Sequence, residues 1–244
     1  MLHGKDTQPK VAPDARPILR PLDAFAGSLS ARVYGALKQA ILNLTFRPGE
    51  ILRKPEICKL LGVSRSPVSE AIARLAAEGL VDVVPQAGTF VARFSMDEIR
   101  EGAFLREALE LAAVERVAIT VTDDQLVLLR RNLRVQAALI DDGDFAGFYK
   151  LDAEMHELVQ RFTGFRRLAL LSETAWLHVN RARQLILPQP GRVQATLREH
   201  QAIVAALEAR DPVAAREATR HHLGQLLIIL EPLAHERPEL FAPG

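Results

Sequence analysis

Four ionisable residues sit where helical periodicity asks for apolar ones. Asp152 and His156 fall within the stripe Phe145, Tyr149, Asp152, His156, Val159, and their i, i+4 spacing turns both to one face of a helix. His200 interrupts the stripe Val193, Leu197, Val204, Leu207, and His222 shares a face with Ala215, Ala218, Leu226 and Ile229. One carboxylate and three imidazoles on the inner faces of three helices suit a divalent metal that keeps positions open for water or a ligand oxygen. Zinc is the expected ion, and nickel or manganese fit the same donors. Each histidine alone reads more readily as a hydrogen-bonded core residue, and the four together could hold an organic effector without a metal. His221, about 100° from His222 around the helix, is the alternative ligand.

A second constellation spans Leu61 to Leu80, LGVSRSPVSEAIARLAAEGL. Gly62 permits a sharp turn through positive φ, and Ser64 is expected to cap a new helix with its side-chain oxygen. Pro67 sits in the first turn, where a missing N–H costs nothing. Val68, Ile72 and Leu75 recur at helical spacing while Arg65, Ser66, Ser69 and Arg74 stay polar, and Gly79 closes the helix. A helix, a tight glycine turn and a second helix with Arg and Ser at its exposed N-terminal end form a helix-turn-helix, whose second helix lies in the DNA major groove.

Two kinds of element must position these groups. Residues 1–27, with four prolines and no apolar period, read as a disordered or extended arm. Residues 28–94 carry a helix from Ser28 ended by Arg47-Pro48-Gly49, a short helix from about Pro55 to Leu61, the Ser64–Glu78 helix, and β-prone runs at 81–84 and 89–92, which together make a winged helix. Residues 95–235 read as an all-helical bundle of about six helices, at 95–120, 123–141, 145–163, 166–187, 192–209 and 212–235, with 236–244 as a tail. The fold class is therefore mainly α. Residues 28–94 hold nine Lys/Arg against five Asp/Glu, whereas residues 95–244 hold 18 against 22, so the basic excess lies with the helix-turn-helix. One cysteine, Cys58, excludes an intrachain disulfide framework, and no apolar run approaches the length of a membrane span, so a cytoplasmic protein is expected.

The ordered set Ile41, Pro48-Gly49, Leu52, Leu61 through Val68, Glu70-Ala71, Leu75, Glu78-Gly79-Leu80 and Gly88-Thr89-Phe90-Val91 resembles the GntR family of bacterial transcription regulators, in its FadR-type branch with an all-helical FCD domain. The resemblance covers roughly residues 28–235. It implies that Arg65 and Ser66 contact DNA, that Gly88 brings the wing to the minor groove, and that Asp152, His156, His200 and His222 occupy the ligand positions of the metal-binding class of FCD domains. It also implies that Arg106, in FLREALE, faces an effector carboxylate; a surface ion pair with Glu107 or Glu110 is the competing reading. Trp176, His178, Asn180 and Arg183 line the effector cavity or belong to the core and a solvated face.

Two positions depart from the family. Ser69 stands where a second DNA-reading arginine is usual, and Pro55 where a basic residue is usual, so Arg53, Lys54 or Arg74 would have to supply the missing charge. The expected protein is a homodimeric regulator of double-stranded operator DNA, a repressor released by a small carboxylate bound at a metal. A sensor of the metal ion itself is the alternative. A metal-dependent hydrolase is a further one, and it lacks an obvious unliganded general base beside the proposed ligands.

Overall fold

The computed structural model describes residues 19–243, without the side chains of 169–170 and 173–175. The chain divides into two compact units, Met1–Val91 and Ala92–Gly244. Of the expected arm, residues 1–18 lie outside the described residues, and Leu22–Ala24 forms a single 3-10 turn.

In the first unit, α1 (Leu29–Leu42) starts at Ser28, whose hydroxyl accepts the Ala31 amide at 3.2 Å. Its residues Val33, Leu37 and Ile41, at helical spacing, are fully buried, and α1 packs on α3 (Arg65–Ala77) with its buried Val68, Ile72 and Leu75. Between them α2 (Lys54–Leu61) ends at Gly62, whose φ of 65° is the left-handed conformation the turn needs. Strands β1 (Val81–Val84) and β2 (Gly88–Val91) pair antiparallel, with Val81 opposite Val91 and Val84 opposite Gly88, and Ile51 adds an antiparallel bridge to Phe90. Three helices and this hairpin make the winged helix.

One local expectation fails. Ser64 occupies the N-cap of α3, yet its side chain makes no capping bond. An N-cap hydroxyl bonds the amide of the second or third helical residue, and the third here is Pro67, which has no N–H to give.

The second unit is all helical among its described residues: α4 (Met96–Thr120), α5 (Asp123–Asp141), α6 (Phe145–Phe162), α7 (Arg166–Ala175), α8 (Leu177–Ile186), α9 (Arg192–Glu208) and α10 (Pro212–Glu236). The continuous helix expected over 166–187 is two helices, making seven in place of about six. The break falls at Trp176, with φ −98° and ψ 4°. No proline or glycine marks it in the sequence. The buried Trp176 ring instead lies 5.1 Å from the Arg106 guanidinium, and tertiary packing overrides a helix-compatible sequence. Val114, Val117, Leu129, Met155, Ile203 and Leu207, from α4, α5, α6 and α9, are among the residues of the main apolar core.

The helix starts that capping residues announce are present. Ser95 accepts the Glu98 amide, Asp211 accepts those of Val213 and Ala214 ahead of Pro212, and Thr122 with Gln125 forms a reciprocal capping box at α5. Thr122→Ala is expected to lower the stability of the helical unit by about 1 kcal/mol, read as a shift of its denaturant midpoint, with Thr122→Ser nearly neutral.

Candidate functional site

Three helices bring four side chains to one point inside the bundle. Asp152 and His156 come from α6, His200 from α9 and His222 from α10; all four are buried, and one ligand-type atom from each lies within 4.8 Å of the others. His222, and not the exposed His221, is the inward residue of its pair.

The outer nitrogen of every imidazole is held. His156 Nδ1 lies 2.6 Å from Glu110 Oε2, His200 Nδ1 2.9 Å from Gln136 Oε1, and His222 Nδ1 2.7 Å from Glu199 Oε2. A carboxylate or amide oxygen can only accept, so each Nδ1 carries the proton and a neutral ring leaves its Nε2 as a lone pair. The Nε2 atoms converge: His222 Nε2 and His156 Nε2 are 3.2 Å apart, a hydrogen bond if one of them carries a proton, and His200 Nε2 lies 3.4 Å from Asp152 Oδ1. Neither His200 Nε2 nor Asp152 Oδ1 has a hydrogen-bond partner, although both are buried. Burial, then the His222 and His156 rings, holds His200 well below the ordinary imidazole range, and burial with His156 does the same to His222. Both rings are therefore neutral at physiological pH.

Around the four stands a ring of buried charge that the sequence did not expose. Arg106 is 4% exposed, and its Nε donates to Glu110 Oε1 at 2.6 Å, so the pair read from sequence as a surface contact is buried. Burial would raise the Glu110 carboxyl, but Arg106 and His156 overcome it and hold the group far below the usual carboxylate range. Arg192 grips Glu199 through two bonds of 2.7 Å, and Arg183 contacts Asp152 Oδ2 directly. Burial and then Arg106 bring the Arg183 guanidinium down to about 10, still charged at neutral pH. Arg106, Arg183, Arg192, Thr196 and His222 line a cavity of about 20 Å³ beside the cluster, and Arg106 Nη2 has no hydrogen-bond partner.

Gln136, Glu199 and Arg192 were missed, and Glu110 was read only as a surface partner of Arg106. Gln136 was open to detection, since it follows Leu126, Leu129 and Leu133 on the inner stripe of α5. Of the other candidates for the cavity, Arg183 lines it, whereas His178 faces Glu98 at 3.5 Å and the Asn180 carbonyl accepts from Tyr149 Oη.

In the first unit, Ser64, Arg65, Ser66 and Ser69 are exposed at the N-terminal end of α3. Arg53 is exposed, with a long 3.7 Å pair to Glu56, and Lys54 opens α2. Gly88 stands at the base of the wing turn with φ 136°, which a side chain would strain. Arg74 is apart from this group: its guanidinium stacks 3.8 Å from the Tyr34 ring, toward the other end of α3.

Known proteins place both units. Residues 29–91 match the family model of bacterial regulatory proteins of the gntR family, and residues 101–225 match the FCD domain. The chain is 34% identical over 210 residues to an HTH-type transcriptional regulator in an unstable DNA locus of Streptomyces ambofaciens, covering 86% of this chain and 88% of that protein. It is 29% identical over 214 residues to the HTH-type transcriptional repressor RspR of Escherichia coli K12, covering 88% and 94%. A putative GntR regulator from Rhodococcus superposes with a TM-score of 0.69 at 27% identity over 82% of this chain and 98% of that one. Escherichia coli McbR/YncC shares the fold, with a TM-score of 0.72 at 22% identity over 85% and 99%. No helix among the described residues is long and apolar enough to cross a membrane. A winged helix followed by an FCD domain, matched along most of its length by regulators of the same build, makes this chain a transcription regulator of the GntR family.

Proposed function

We propose that the helical unit holds a divalent metal, zinc by preference, on Asp152, His156, His200 and His222, and that a small carboxylate bound beside it governs binding of operator DNA by a homodimer. The observation that carries this reading is the convergence of three imidazole Nε2 atoms on the unpartnered Asp152 Oδ1, each ring fixed from behind through Nδ1. Lone pairs so close repel one another unless a proton or a metal cation lies among them, and imidazoles backed by carboxylate or amide oxygens are the usual outer support of a metal site. Bound there, the ion would supply Lewis acidity and open positions for an oxygen ligand.

The charge balance indicates what that ligand is. Glu110, Asp152 and Glu199 offset Arg106, Arg183 and Arg192, and His200 and His222 are uncharged, so these eight groups carry no net charge between them. A divalent ion would leave excess positive charge in a buried site, a costly state that an anion relieves. Arg106 is the effector-binding residue of this reading, because its free Nη2 and fork geometry suit a carboxylate oxygen. The present cavity admits little more than a water, so the carboxylate binds a more open arrangement and thereby shifts the population of states. That small volume also favours the second reading, a regulator that answers to the metal alone; operator release that follows zinc with no organic acid present would establish it. The repressor RspR among the relatives supports repression as the mode of action.

On DNA, the exposed hydroxyls of Ser64 and Ser66, Arg65, and the uncapped first turn of α3 suit phosphate and base edges, with two copies reading a palindromic site. Ser69, Arg53, Lys54 and Gly88 complete the proposed surface, whereas Arg74, stacked on Tyr34, lies apart from it.

Three outcomes are expected. Protein purified without added metal contains about one zinc per chain by elemental analysis, His200→Ala contains none, and Glu110→Gln binds about 10- to 100-fold more weakly; equal metal content in wild type and His200→Ala would falsify the site. Because His200 and His222 stay neutral when folded while unfolded imidazoles protonate near about 6.5, the unfolded chain takes up more protons below that pH. Stability of the metal-free protein therefore falls as pH drops from neutral through that value, and thermal melts of His200→Gln show a shallower fall. In anisotropy titrations with DNA flanking its own gene, Arg65→Ala removes about 1–3 kcal/mol of binding and Ser69→Ala less than about 1 kcal/mol. Equal losses at the two positions would mean that another face of α3 reads DNA.

A further inference from the structure

Helix α8 carries two buried arginines two residues apart, and they serve different places. Arg183 contacts Asp152 and lines the cavity at the metal cluster. Arg181, 1% exposed, donates from Nη2 to the Ala92 carbonyl at 2.6 Å, and its guanidinium lies 4.5 Å from the Phe94 ring centroid. Residues i and i+2 point about 200° apart around a helix, so α8 joins its two contacts like a bar with a group at each side.

The segment that Arg181 holds, 92–94, follows directly on Val91, the last residue of the wing strand β2. It is held a second time by the C-terminal tail. The Phe94 amide donates to the Leu240 carbonyl at 3.0 Å, the Ala242 amide donates to the Phe94 carbonyl at 2.8 Å, and Arg93 Nε donates to the Glu239 carbonyl at 3.1 Å. The buried Phe241 ring sits 5.6 Å from that of Phe94. This tail continues α10, the helix that supplies His222.

We propose that 92–94 and the tail 238–242 form a clasp through which the site controls the segment leading from the DNA-binding unit, with α8 as the connecting lever. The inference rests on the metal reading given above. A cation on Asp152 Oδ1 draws on the carboxylate charge that holds Arg183 and repels the guanidinium itself, so Arg183 loses its anchor. A packed helix shifts as a body, and Arg181 shifts with Arg183, which loosens the clasp. Coupling of this kind is reciprocal: if metal opens the clasp, opening the clasp favours metal.

Full-length protein freed of its metal by a chelator, and zinc ion alone, test this. Hydrogen exchange of peptides covering 92–95 and 238–243 is expected to speed up about fivefold or more when zinc is added, while peptides bearing Asp152 and His200 slow. Phe241→Ala, remote from the four ligands, is expected to raise zinc affinity in calorimetry by about the same factor, and Arg181→Met to do likewise should the first variant fold poorly. Zinc uptake with unchanged exchange at 92–95 and unchanged affinity in both variants overturns the clasp and leaves the metal site standing. No zinc uptake by the wild type overturns the metal reading and the clasp with it.

Discussion

The helical unit depends on how one buried polar cluster is neutralised. Apolar packing could close this bundle without Asp152, three histidines, three arginines and two further carboxylates in its middle, and burying so many polar groups is costly unless each is paired. Nearly all of them are. Glu110 serves both Arg106 and His156, Glu199 serves both Arg192 and His222, and Gln136 serves His200 while its own amide donates to Asn132. What is left without a partner is confined to the side facing inward, at Asp152 Oδ1 and His200 Nε2, and to single atoms of Arg106 and Arg192. The network is thus satisfied on its outside and unsatisfied at its centre.

Much of this was legible in the sequence because helical periodicity is a strong signal. A charged or imidazole side chain in an apolar stripe is conspicuous, so Asp152, His156, His200 and His222 stood out, and the structure gathers them. The supporting residues were hidden for a physical reason. Glu199 precedes His200 and Glu110 follows Arg106 by one turn; both look like ordinary helix surface charge until the partner helix is known to cover them. Only tertiary packing tells a buried i, i+4 pair from an exposed one. The break at Trp176 was hidden likewise, since nothing local forbids a helix there and the ring's place against Arg106 is a long-range fact.

The winged helix was more fully legible, because turns and caps are local chemistry. Gly62, Gly79, Pro48-Gly49 and the wing turn each fix the chain within a few residues, and the described structure follows them. The exception is Ser64, where two local rules meet. A serine at the N-cap predicts a capping bond, and a proline in the first turn predicts a helix start, but proline at the third position removes the amide the serine would have bonded. Each rule reads correctly alone; together they leave a hydroxyl and a first turn uncapped.

That uncapped turn bears on how such a protein would grip DNA. A capped helix start has spent an amide on its own side chain, whereas α3 keeps the amides of Arg65 and Ser66 and the Ser64 hydroxyl for an outside acceptor, and a phosphate is the strongest acceptor DNA presents. The cost is a less stable helix start, offset by burial of Pro67 and Val68 directly behind it. If this face reads DNA as proposed, Ser69 offers no cation there, and phosphate attraction would rest more on backbone amides and on Arg65. Backbone amides carry no full charge and release few counterions. A reading face built this way depends less on salt than one built on two arginines, and more on the register in which α3 is presented.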